Sequence, residues 1–323
     1  MIRGIILQAI LWTYGFCLSA AAAADLGKAR EEGRLVLYTS FTQADIPKLV
    51  DAFAKKYPGI RVDVIRGVAS SMIPRITTET KAGKSGDVVF TKAEYLDLLK
   101  SQALLQSYRS PEEKLPGDGY VTGVWMSIHG IAYNSRRVRP AQVPKQYTDL
   151  LDPQWKGRMV VNLTNFMWSY GILKLYGREK GMAFLKALAG QQPRGERSSS
   201  LVAQLMAAGE FDIGVSLNTN IVSAMKSRGA PIDWARITEP LFADLQAIGL
   251  LANGRSPNAA HLFVDHLLSR DGQVALAETG RNVVREDVPP ADGLDLKKVQ
   301  IIGADGRIEA EKYQSLMLDL FTK

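Results

Sequence analysis

Apolar positions along the chain fall into short runs that alternate with stretches of helical spacing. Residues 34–40 (Arg34-Leu-Val-Leu-Tyr-Thr-Ser40) read as a strand that ends in hydroxyl side chains. Ile46, Leu49, Val50, Phe53 and Tyr57 then share one face of a predicted helix, and Pro58-Gly59 stops it. A second strand at 61–67 leads into a helix opened by Ser70 and Ser71 and running towards Ala82. A third strand at 87–90 precedes a helix carrying Ala93, Leu96 and Leu99. Strand, helix, strand, helix at this rhythm predicts parallel βαβ units and an α/β sheet.

From Gly119 the texture changes. Residues 120–135 form one long, extended, aromatic stretch, and a polar, proline-bearing segment at 136–145 follows it. The α/β rhythm then restarts with a strand at 158–162 and helices at 166–176 and 179–189. Ser198-Ser199-Ser200 opens a helix with Leu201, Val202, Leu205 and Met206 on one side, and residues 211–216 form the next strand. Segments 245–252 and 257–269 look like a return to the first sheet. Two α/β units joined by extended crossovers predict two lobes.

The recurring feature is a strand, a polar loop and a helix. Thr39, Ser40 and Thr42 occupy the first such junction, and Ser70 and Ser71 the second. Asn162, Thr164 and Asn165 stand at a third, Ser198 to Ser200 at a fourth, and Asn218 to Asn220 at a fifth. Ser, Thr and Asn are favoured helix caps in any case. Yet open α/β sheets bind ligands beyond the carboxyl ends of their strands, where helix N-termini favour anions. Five such junctions on two lobes point to a ligand in a cleft.

Composition narrows the class. The 323 residues are 46% hydrophobic, enough for a packed core and about two domains. The net charge of +7 is scattered in short pairs such as Lys55-Lys56, Arg136-Arg137 and Lys297-Lys298. Nucleic-acid binders concentrate charge on one face, so no nucleic-acid partner is expected. A single cysteine cannot form an internal disulfide or a Cys-based metal site, and three histidines leave little for a His-built one. That cysteine, Cys17, lies in an N-terminal segment with Arg3 at its start, an apolar core at 5–18 and small residues at 19–24. The layout predicts a signal peptide over residues 1–24, cleaved after Ala22-Ala23-Ala24, because the core is too short to span a bilayer. Phe16 stands where a lipoprotein would place a small residue. The exported chain then starts near Asp25 without a cysteine.

Several segments carry a resemblance over residues 34–287. They include Leu35-Val-Leu-Tyr-Thr-Ser40, Gly130-Ile-Ala-Tyr-Asn134, Tyr147-Thr-Asp-Leu-Leu-Asp-Pro-Gln-Trp-Lys-Gly157 and Ser200-Leu-Val-Ala-Gln-Leu-Met-Ala-Ala-Gly-Glu210. Asn258-Ala-Ala-His-Leu-Phe-Val-Asp-His-Leu-Leu-Ser269 and Gly280-Arg-Asn-Val-Val-Arg285 complete the set. In order and spacing the chain resembles a periplasmic solute-binding protein of an ABC importer, in the branch of ferric-ion-, aminoethylphosphonate- and hexose-phosphate-binding proteins. The resemblance implies a type II fold, with a mixed sheet flanked by helices in each lobe and a two-strand hinge between them. It also implies a periplasmic, monomeric carrier that closes on a small molecule and docks on a membrane permease. Lobe 1 is expected over 25–119 and 243–285, and lobe 2 over 120–242 with 286–323 packed on it.

The ferric branch binds iron through adjacent tyrosines, a histidine and often a carboxylate. Here the matching stretch is Ser216-Leu-Asn-Thr-Asn-Ile221, and the first two junctions offer Thr42 and Ser70-Ser71. No metal site is therefore expected, and no cofactor, since no phosphate-loop pattern is present. Hydroxyl and amide donors suit a phosphate, phosphonate or carboxylate. Ser40, Thr42, Ser70, Ser71, Thr164, Asn165, Ser199, Ser200 and Asn218 are the candidate ligands for that anion, with Phe41, Trp125, Trp168 and Phe166 as candidates for an apolar wall. Arg75 and Arg285 read as surface ion pairs. A ferric carrier, a ligand-sensing receptor partner and a secreted enzyme are the alternatives. Against the last, no nucleophile elbow is visible, and His261 and His266 point apart on their helix.

Overall fold

The computed structural model describes residues 24–41, 46–115, 117–290 and 293–322. Thr42, Cys17 and the apolar core of the predicted signal peptide lie outside the described residues. Asp25 caps the first helix, α1 (Leu26–Glu32), by accepting from the Lys28 amide at 3.1 Å. The predicted rhythm follows as β1 (Arg34–Thr39), α2 (Ile46–Lys56), β2 (Arg61–Arg66), α3 (Ala69–Lys81), β3 (Val88–Lys92) and α4 (Ala93–Ser101). A short β4 (Leu105–Gln106) leads to the longest strand, β5 (Thr122–Asn134). The second series is β6 (Met159–Asn162), α5 (Met167–Tyr176), α6 (Arg178–Gly190), β7 (Arg194–Glu196), α7 (Ser199–Ala208), β8 (Ile213–Asn218), α8 (Thr219–Ser227) and β9 (Ile232–Trp234). β10 (Leu241–Leu251), α9 (Pro257–Leu268), α10 (Arg270–Ala277) and β11 (Asn282–Val283) come next. β12 (Val299–Ile301), α11 (Ala304–Ile308) and α12 (Ala310–Phe321) end the chain.

β1 lies parallel between β2 and β3, and β6 lies parallel between β7 and β8. Two long antiparallel strands join these sets: β10 pairs with β3, β5 pairs with β8, and β10 pairs with β5. The result is the two-lobed type II α/β arrangement, with β5 and β10 common to both lobes. Every residue of β10 is buried, as expected of a strand covered on both faces. Register shifts fall at Gln246/Ala247 and at Gly130/Ala132, where each strand leaves one lobe for the other. Such bulges let a strand twist between two differently oriented neighbours.

Three differences from the sequence reading have physical reasons. The strand placed at 245–252 begins four residues earlier, because Leu241, Phe242 and Ala243 pair with β12, which carries no alternation of its own. β7, β9, β11 and β12 have three residues or fewer, too short for a two-residue period to show. The helix expected at 166–176 opens with a 3-10 turn over Leu163–Asn165, because the Asn162 side chain accepts from the Thr164 amide. After β12, α12 packs on α5 and α6, whereas the short α11 packs on α4.

Two apolar clusters hold the lobes. In one, Phe53 of α2 meets Phe263 of α9 edge to face at 5.1 Å, with the His266 ring 5.7 Å away. Burial, reinforced by the Lys56 cation, pushes the His266 pKa down to about 4. In the other, Tyr147 stacks on Phe242 at 5.9 Å and meets Trp168 edge-on. Gly171 of α5 brings that helix against the Phe242 ring, which a Cβ would overlap.

Gly171→Ala is therefore expected to destabilise the chain by about 1–3 kcal/mol, as overpacking against a rigid ring does. The check is a lower urea midpoint at unchanged m value; an unchanged midpoint refutes the close approach. His266 is neutral in the fold, whereas an unfolded histidine titrates near pH ~6.5. The unfolded chain thus binds more protons between those two values, and stability is lost as pH falls through that window. His266→Leu should gain on the wild type by on the order of 2–3 kcal/mol between pH ~6.5 and ~4. A pH-independent difference in unfolding free energy between the two would rule this out.

Candidate ligand site

The topology brings the carboxyl ends of both sets of parallel strands to one gap, as open α/β sheets do. Ser40 follows β1, Arg66 ends β2 and Lys92 ends β3; from the other lobe, Thr164 and Asn165 follow β6, Arg197 follows β7 and Asn218 ends β8. All of them line a cavity of about 1370 Å³. Its floor is made of the shared strands, through Trp125 and Ser127 of β5 and Gln246 of β10.

On the first wall, Ser40 Oγ and Thr91 Oγ1 share a hydrogen bond at 2.9 Å. The Phe41 amide donates to Thr39 Oγ1, turning the Phe41 ring onto Phe90 at 4.6 Å and edge-on to Trp125 at 5.9 Å. The Arg281 guanidinium lies 4.8 Å from the Phe41 ring and 5.0 Å from Trp125, within cation–π range of both. Arg66 Nε donates to the Phe41 carbonyl at 2.7 Å, which ties the end of β2 to this wall.

The second wall is held by an amide–hydroxyl network. Ser216, buried in β8, has a left-handed backbone with φ 59°, an uncommon state for a residue with a side chain. Asn165 Nδ2 donates to the Ser216 carbonyl at 2.7 Å and to Asn218 Oδ1 at 2.6 Å. Asn162 Nδ2 also donates to Ser216 O, at 3.3 Å, and reaches Ser199 Oγ. Ser199 Oγ donates to Asn218 Oδ1 at 2.7 Å, and Asn218 Nδ2 donates to Ser127 Oγ of the shared strand at 2.6 Å. The Ser199 proton is thus committed to Asn218. Ser198 caps α7 by accepting from the Leu201 amide. What this corner offers an anion is the first backbone N–H groups of α7 and the exposed Ser200 hydroxyl.

Among the described residues five cations line the cavity, Arg66, Lys92, Arg197, Arg228 and Arg281, and no described lining residue is Asp or Glu. Among the described residues Arg66, Arg197 and Arg228 have no carboxylate partner. Lys92 does: its Nζ lies 3.2 Å from Asp244 of β10 and 3.8 Å from Glu94. It also donates to the Thr164 carbonyl of the other lobe at 3.4 Å. Burial works against the Lys92 charge, but Asp244 and Glu94 outweigh it and hold its pKa above the ordinary range.

Of the residues singled out in the sequence, Ser40, Phe41, Thr164, Asn165, Ser199, Ser200 and Asn218 are brought together. Ser71 is not; its hydroxyl donates to the Val68 carbonyl at 3.0 Å in the first turn of α3, and Gly67, Val68 and Ala69 line the cavity instead. Ser70 stands in that same turn. Trp168 is 1% exposed, on the face of α5 turned to Tyr147 and Phe184, so it is a core ring and not part of the wall. Trp125 and Phe166 take that place. Arg75 pairs with Glu79, and Arg285 with Glu112 and Asp287, away from the cavity. The lining cations were missed. Their signal was position: Arg66 and Lys92 are the last residues of strands whose next turn faces the gap.

A cleft between two lobes, lined by both and floored by the strands they share, defines a ligand-capturing protein that works by closure. Residues 35–282 match the family of bacterial extracellular solute-binding proteins, and the chain belongs to it. It is 27% identical over 327 residues to Iron uptake protein A2 of Synechocystis sp., covering 92% of this chain and 89% of that one. Its fold is that of the periplasmic binding protein AfuA of Actinobacillus pleuropneumoniae with fructose-6-phosphate bound. The TM-score is 0.73 at 22% identity, over 90% of this chain and 99% of that one. It is likewise that of Trichodesmium IdiA in complex with iron and citrate ligands, with TM-score 0.75 at 21% identity over 90% and 100%. No helix among the described residues is long and apolar enough to cross a membrane.

Asn165→Ala leaves the Ser216 carbonyl and Asn218 short of a donor and should cost about 1–3 kcal/mol. Urea unfolding checks it, and a wild-type midpoint would mean that the network does not hold this wall.

Proposed function

We propose that this chain is the periplasmic ligand-binding component of an ABC importer for a small organic anion. It would act as a monomer and deliver its ligand to a permease. One observation carries the reading: Arg66 on one wall and Arg197 and Arg228 on the other line the cavity, and none of the three has a carboxylate partner among the described residues. Like charges on two walls oppose closure of an empty cleft. An anion with charge at both ends reverses that sign, so it shifts the population towards the closed form. Ser40, Ser200, the α7 amides and Asn218 supply neutral donors beside Arg66, Arg197, Arg228 and Arg281, and Phe41 and Trp125 supply an apolar surface. Residues 25–119 with 243–285 would move as one body against 120–242, with most of 286–323 riding on the second.

A second reading has its own support, because curated relatives are named for iron. Among the described residues no group of three His, Cys, Asp or Glu could hold a metal ion. Iron would then enter as the core of an anionic chelate, such as its citrate complex, whose carboxylates meet the same arginines.

The test is a thermal-shift and calorimetric screen of fructose 6-phosphate, 2-aminoethylphosphonate, citrate, ferric citrate and Fe³⁺ without a chelator. The expected outcome is stoichiometric binding of one anion, a rise in Tm with its concentration, and about 10- to 100-fold weaker binding in Arg66→Gln and in Arg197→Gln. Binding of unchelated Fe³⁺ with a charge-transfer colour, or turnover of the anion, sinks the reading.

A further inference from the structure

Under the cavity floor lies a group of ionisable side chains that anion capture does not itself use. Lys92, at the end of β3, faces two carboxylates: Asp244 of β10 at 3.2 Å and Glu94, in the first turn of α4, at 3.8 Å. His129 of β5 places Nε2 3.4 Å from the same Asp244 carboxylate. His129 and Asp244 are closed off from solvent and the Glu94 side chain is 6% exposed, while a quarter of the Lys92 side chain opens to the cavity. One ammonium therefore serves two buried carboxylates, and it sits within hydrogen-bond reach of only one. Glu94 Oε1 and Asp244 Oδ1 are left without a hydrogen-bond partner.

A buried carboxylate without a full partner is the group that gives up its charge. Burial pushes Glu94 up to about 7; Lys92 opposes the rise and Asp244 adds to it. Asp244 behaves in the opposite way. Burial raises it too, but His129 and Lys92 together hold it well below the ordinary carboxylate range. Of the other elements packed on α4, α11 brings one cation that favours the Glu94 charge through space, Arg307. Arg307 of α11 is bound to Asp97, one turn further along α4, Tyr95 stands beside it, and Arg75 and Glu79 of α3 pair with each other.

We propose that Glu94 is a proton-binding site that fills when an anion occupies the cavity, so that ligand capture takes up a proton. The proposal rests on the anionic reading of the cavity. An anion against Lys92 draws on the cation that the two carboxylates share, and it brings a third negative charge to the cluster. Protonating Glu94 removes that charge excess at the least cost, since Asp244 retains its direct bonds to Lys92. The step adds one solvent proton to a carboxylate oxygen and changes no other bond. Capture is then favoured as the surroundings acidify, through a residue that never touches the ligand.

Titration calorimetry near pH ~7 in bis-tris and in Tris, whose ionisation heats differ, counts the protons taken up. Sulfate, tartrate and glucose 6-sulfate are the probes, because none of them titrates between pH ~6 and ~8. The expected result is uptake of up to about half a proton on binding, since the free site is already half filled at that pH. It should fade near pH ~5, where Glu94 is already protonated. Glu94→Gln should bind the same probe without buffer dependence, and His129→Gln should keep the uptake. Equal binding heats in the two buffers for the wild type overturn the proton site, whatever the variants do. So does uptake that survives Glu94→Gln, or uptake that vanishes in His129→Gln and so belongs to the histidine. Absence of heat with every probe removes the anion reading itself, and the proton site with it.

Discussion

β5 and β10 must each be part of two cores. Both strands run through both lobes, and their residues are almost all buried. A strand covered on both faces has little room for polar side chains, and apart from Thr122 and Asn134 at the ends of β5 the ones these two carry are gathered where they cross between the lobes. Ser127 and His129 on β5 stand opposite Asp244 and Phe242 on β10, with Gln246 two residues further. Everything functional is hung on that crossing. Lys92 is anchored to it through Asp244, and Asn218 through Ser127. The lobes meet there, so the strands that floor the cavity are also the ones that join the two lobes.

The charges follow a division imposed by that geometry. Strand ends place cations on both walls, and two carboxylates, Asp244 and Glu94, lie beneath the floor and are occupied with Lys92. A buried pair of this kind contributes little net stability, because desolvation offsets the attraction. It does fix where the lysine points. On the proposed reading, Arg66, Arg197 and Arg228 find their counter-charge in the ligand, and the two lobes gain a reason to close only when it is present.

Much of the frame was legible along the chain. The βα rhythm, the long extended stretch that became β5 and the hydroxyl-rich junctions are local patterns, and eleven of the junction and aromatic positions do share one cavity. Trp168 shows the limit. Nothing local distinguishes a tryptophan that faces a cleft from one that faces a neighbouring helix, and packing against Tyr147 and Phe184 decided it. Ser71 shows the same ambiguity for hydroxyls, since a serine in a first helical turn bonds equally well to its own backbone. The charge pattern was the least readable. Lys92 and Asp244 are 152 residues apart, and the lining arginines are dispersed among many solvated ones.

The sequence by itself determined the elements, because spacing of apolar residues and capping chemistry act over a few residues. It also carried the family likeness, because that rests on the order of local motifs. Tertiary structure alone decided which strand ends face each other, which cations lose their counter-ions and which carboxylate is left half-served. Those properties depend on distance through space and on burial, and neither is set until both lobes have folded onto the two strands they share.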